Sequence, residues 1–93
     1  MDPKRLRDNT ELLCYLTELS NELESGGEKH LAQDVKEAAR FAIGSASEFL
    51  HEAQVALQRV ERLRPKSLSS NRLEELSAVI AQIRGAFDRI GGA

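Results

Sequence analysis

The sequence predicts an all-α fold: an antiparallel bundle of three helices with a long central helix, or a four-helix monomeric bundle if the central helix breaks at Gly44-Ser45. Three observations point there. Apolar residues recur at spacings of three and four, and no segment alternates apolar with polar as a half-buried strand would. The aliphatic supply is 13 Leu and 11 Ala against 4 Val and 4 Ile, a mixture that favours helix over sheet. With only 2 Pro, the chain is divided by glycine pairs and by Pro65 into long uninterrupted periodic runs.

The first helix is expected from about Pro3 to Glu24. Asp2 followed by Pro3 reads as an N-cap with proline at the first helical position, and Asp8-Asn9-Thr10-Glu11 has the form of a capping box. Its apolar stripe is Leu12, Leu16, Leu19 and Leu23, widened by Leu6 and Leu13. Ser25-Gly26-Gly27 then stops it, since glycine takes up the left-handed C-cap conformation and reverses the chain.

The second helix is expected to run from Glu28 to about Arg64, where Pro65 forces the preceding residue out of helical geometry. Its stripe, Leu31, Val35, Ala38, Ala42, Ala46, Phe49, Ala53, Ala56 and Val60, keeps one phase across Gly44-Ser45, with Ala39, Ile43, Leu50 and Leu57 at its flanks. A local signal opposes this continuity: Gly44 suits a helix end, and Ser45-Ala46-Ser47-Glu48 reads as a new capping box. The third helix is expected from about 70 to 90. With Ser69 as N-cap, Leu68 and Leu73 form a hydrophobic staple, and the seam continues through Leu76, Ile80, Ile83, Phe87 and Ile90 to Gly91-Gly92.

At 93 residues the chain is a single domain, 1–93, of a size that buries only about 60% of its unfolded surface, so a partner or second copy is expected. A continuous second helix would be about 55 Å long at 1.5 Å per residue, against about 33 Å for its neighbours. Each of its ends would then be covered by one other helix only, and a second chain is the efficient cover. The expected contact on that helix is Phe41, Gly44, Glu48 and Val55, on the side away from the main stripe, where Gly44 permits close approach. The charge supports an antiparallel homodimer: residues 11–52 carry nine acidic and three basic side chains, residues 53–93 seven basic and four acidic.

Several function classes are excluded or weakened by composition. Cys14 is the only cysteine, so no internal disulfide forms and a cytoplasmic setting is expected. The first ten residues lack the apolar core of a signal peptide, and no run approaches the ~20 residues that span a bilayer, so no membrane is expected as partner. A net charge of −2 argues against nucleic acid in general. Arg59, Arg62, Arg64, Lys66 and Arg72 nevertheless crowd the second turn, where Glu61 is the only opposing charge within residues 59–72. A helix–turn–helix reading of this patch is weakened by the long connection and by Glu74-Glu75 at the opening of the last helix.

Catalytic motifs are thin. Glu48-Phe49-Leu50-His51 matches the E-x-x-H of di-iron bundles, but those sites need two such motifs and further glutamates pointing inward, whereas here both residues lie on the polar face. The residues after His30 and His51, Leu31-Ala32-Gln33 and Glu52-Ala53-Gln54, lack the lysine and glycine suited to phosphotransfer, and Cys14 has no base or positive cluster close in sequence to activate its thiol. No glycine-rich phosphate loop, G-x-S-x-G or zinc spacing occurs, so no cofactor, metal or small-molecule substrate is expected. The functional expectation is a non-catalytic helical protein–protein interaction or adaptor module that self-associates. The alternative is a small nucleic-acid-associated regulator acting through the basic turn.

Overall fold

The computed structural model describes residues 9–89 of the chain. The expectations for Asp2, Pro3, Leu6 and Asp8 at the N-terminus, for Ile90, Gly91 and Gly92 at the C-terminus, and for the Phe87 side chain lie outside the described residues. Within them the structure is all-helical, with no strand: α1 spans Asn9–Ser25, α2 Lys29–Ala39, α3 Ala46–Leu63 and α4 Ser70–Arg89. A short 3₁₀ turn, Arg40–Ile43, joins α2 to the corner before α3.

The expected continuous helix from Glu28 to Arg64 is therefore two helices, and the longest dimension of the described residues, 37 Å, is too short to hold a rod of about 55 Å. The break follows the local signal. After Ala39 the helix tightens into the 3₁₀ turn, Gly44 N–H donates to the Phe41 carbonyl at 3.0 Å, and Ser45 adopts an extended ψ of 138°. The Ser45 side chain then accepts from the Glu48 N–H at 3.5 Å, capping α3 as a Ser-x-x-Glu sequence should. The phase of the apolar stripe misled because alanines carried it across the corner. Ala38 is buried, Ala42 half-buried, Ala46 exposed, and burial resumes at Phe49. A methyl side chain gains little from burial, so a run of alanines fixes the phase weakly.

The break also removes the length mismatch. All four helices contribute to a single core that includes Leu16, Leu19 and Leu23 of α1, Leu31 and Val35 of α2, Phe49, Leu57 and Val60 of α3, and Leu76, Val79 and Ile83 of α4. The two-helix ends that called for a second chain to cover them do not arise.

The other boundaries follow their sequence signals. At the end of α1, Glu28 N–H donates to Leu23 O at 2.8 Å and Gly27 N–H to Glu24 O at 3.1 Å, the paired bonds of a Schellman cap, with Gly27 at φ +87°. Pro65 ends α3 at Leu63, leaving Arg64 as a left-handed cap at φ 44°, ψ 62°. Ser69 accepts from Arg72 N–H at 3.2 Å, and Leu68 and Leu73 are both buried, completing the staple. The two turns meet at one end of the molecule: a Cβ added at Gly26 would overlap the Ser67 Cβ and lie 2.8 Å from its hydroxyl oxygen.

Candidate interaction surface

The outward face of α3 differs from those of its neighbours. Outward positions carry Thr17, Glu18 and Asn21 on α1, His30, Gln33 and Glu37 on α2, and Asn71, Glu74 and Ser77 on α4. The large apolar side chains left exposed among the described residues are Ile43 (98%), Val55 (43%) and Leu63 (58%). Val55 and Leu63 belong to α3, and Ile43 sits in the corner that leads into it. Burial elsewhere explains the contrast, since the opposite face of α3 places Phe49, Leu50, Ala53, Ala56, Leu57 and Val60 in the core.

The four residues expected to form one contact stripe are not brought together. Phe41, expected to face outward, is half-buried and packs against the core. Gly44 stands at the bend, where an added Cβ would meet only the Phe41 carbonyl at 3.6 Å, so no close helix crossing depends on it here. Glu48 and Val55 do share a face, seven residues apart on α3 and both exposed.

The basic cluster is divided by ion pairs that reach across the fold. Arg59 donates to Asp34 of α2 at 2.8 Å. Arg72 meets the Glu22 carboxylate of α1 through Nε at 3.0 Å and Nη2 at 2.8 Å, and its Nη1 lies 2.7 Å from Glu75. The hydrogen bond to Glu22 is the main cause that raises the Arg72 pKa above its already high ordinary value. Arg62, Arg64 and Lys66 are exposed, and none forms an ion pair with another described residue. Counting charges within residues 59–72 missed these partners because Glu22 and Asp34 lie on earlier helices.

Beneath the Arg72 network lies Tyr15, 1% exposed. Burial pushes its hydroxyl well above the ordinary phenol range; Arg72 pulls the other way, and the carboxylates of Glu75 and Glu22 add to the rise. Its place in the core was legible, because position 15 stands three residues after Leu12 and four before Leu19. Ser20, also buried, had no apolar signal; its hydroxyl donates to the Thr17 carbonyl at 2.8 Å.

No family model, curated protein or solved structure matches this chain. The functional reading rests on the geometry.

The residues of the catalytic motifs lie at the surface of three different helices. Glu48 and His51 are exposed on α3, Cys14 is exposed on α1, and His30 is exposed on α2. Among the described residues no three His, Cys, Asp or Glu side chains converge as a metal set, and no helix is long and apolar enough to cross a membrane.

Proposed function

We propose that this protein is a non-catalytic helical interaction module, an up-and-down bundle of four helices whose contact surface is the outer face of α3. The observation that carries the reading is the placement of Ile43, Val55 and Leu63, the exposed large apolar side chains, along one helix and its entry corner. Scattered exposed apolar residues are ordinary on any protein, but here two of the three fall on α3 and the third on the turn that leads into it, while the outward positions of the other helices are mostly polar. Arginines at Arg59 and Arg62 flank Val55 on its C-terminal side, and an apolar centre rimmed by charge is the usual make-up of a protein–protein contact. A reducing, cytoplasmic setting suits a lone exposed thiol.

Nucleic acid binding through Arg62, Arg64 and Lys66 is the competing reading. It is weakened by the Asp34 and Glu22 carboxylates paired with Arg59 and Arg72, which cancel part of the positive field, and by exposed Glu74 in the first turns of α4. A photoreactive residue at position 55, activated in the native host, is expected to yield discrete polypeptide adducts, and a probe at position 66 none to nucleic acid. Nucleic-acid adducts at position 66 with no polypeptide at position 55 would replace this reading with the competing one.

A further inference from the structure

Resting on the α3 reading, we infer that the occupant of this face is a second copy of the chain, its α3 packed antiparallel about a two-fold axis at Val55. The face itself is written for such a pairing. Glu48, Glu52, Val55, Arg59 and Arg62 follow one another at spacings of four, three, four and three and fall within a sector of about 80° on the helix. Read in either direction, the line is two charges of one sign, an apolar centre and two charges of the other. Glu48 and Arg62 both lie seven residues from Val55. An antiparallel copy therefore sets each Glu48 against the partner's Arg62, brings Glu52 near the partner's Arg59, and stacks Val55 on its own equivalent. This is the self-complementarity that an isologous two-fold contact requires.

The helix dipole accounts for Glu48 in the first turn and Arg62 in the last. It does not account for Glu52 and Arg59 nearer the middle, nor for an exposed valine between them. Glu48 and Glu52 are four apart and Arg59 and Arg62 three apart, so each pair repels along the isolated helix and gains from a partner of opposite sign. Arg59 keeps donors for this role, because its bond to Asp34 uses Nη1 alone. Glu48, Glu52 and Arg62 make no ion pair among the described residues. Parallel pairing would instead set Glu48 on Glu48 and Arg62 on Arg62.

A contact of one helix from each copy is smaller than a standard interface, so the dimer is reversible, with a Kd on the order of 1–100 μM. Sedimentation equilibrium of the whole chain between about 10 μM and 1 mM is expected to show a monomer–dimer equilibrium that weakens with salt. Val55→Glu places like charges at the axis and should weaken it about tenfold or more, with helix content by circular dichroism unchanged because the site is solvent-facing. Glu48→Arg and Arg62→Glu should each weaken it about tenfold, and the two together should restore it, since only antiparallel pairing sets position 48 against position 62. A chain that stays monomeric to about 1 mM, a dimer that Val55→Glu leaves intact, or a double reversal no better than the single ones overturns the inference. A monomer whose position-55 probe still captures another polypeptide overturns the second copy and leaves the α3 reading standing. A monomer without such an adduct overturns both.

Discussion

Tyr15 is the residue on which the pH response of the fold turns. It is the only tyrosine, and its buried hydroxyl is held protonated beside Glu22 and Glu75, with its pKa raised above the ordinary phenol value of 10.0. A group whose pKa rises on folding stabilises the fold fully below its unfolded pKa and loses that contribution as pH climbs through the folded one. Stability is therefore expected to fall from about pH 10 upward, at a slope near 1.4 kcal/mol per pH unit from this group. Urea unfolding at a series of alkaline pH values checks it: Tyr15→Phe should remove that one-proton slope, and the phenolate absorbance of the parent should appear only as the fold is lost. Arg64 carries the other residue-scale expectation. It holds φ 44° without being glycine, a conformation that costs an L side chain about 1 kcal/mol. Arg64→Gly should raise stability by about 0.5–1 kcal/mol in thermal or urea unfolding, offset in part by the freer unfolded chain.

At the scale of the elements, the most sensitive joint is the meeting of the two turns. Gly26 and Ser67 approach so closely that a methyl group at Gly26 has no room. Gly26→Ala is expected to cost about 1–3 kcal/mol by urea unfolding, and Ser67→Gly in the same chain should recover part of it, whereas Ser67→Gly alone should change little. Neither turn hints at the other in sequence. What was legible there is local. The start of α4 followed from Ser69 with Leu68 and Leu73, and the end of α1 from Gly26-Gly27, because caps are set by residues within one helical turn of each other. The leucine and isoleucine stripes of α1 and α4 were read because each such side chain gains much from burial. The bend between α2 and α3 was obscured where alanines carried the stripe, although Ser45 and Glu48 marked it. At the surface, Val55 and Glu48 were found by periodicity. The outward turn of Ile43 and the pairing of Arg59 and Arg72 needed the fold, since they depend on the bend and on carboxylates from distant helices.

For the molecule as a whole, the corner at Arg40–Ser45 divides the chain into two helical hairpins, α1 with α2 and α3 with α4, each closed by its own capped turn. What unites them is noncovalent as well as covalent: the shared core, the close turns at Gly26 and Ser67, and the Glu22–Arg72 pair. Ile43, Gly44 and Ser45 lie exposed at the link itself. The link thus adds mainly effective concentration, holding each hairpin near its complement. The protein should accordingly behave as a complementing pair of fragments. With a protease recognition sequence inserted between Gly44 and Ser45, cleavage is expected to leave both pieces eluting together with their helix content retained. Melting, independent of dilution in the intact chain under conditions where it is monomeric, should become dependent on it after the cut. Separation of the pieces on cleavage would show that the hairpins hold together only by being tied.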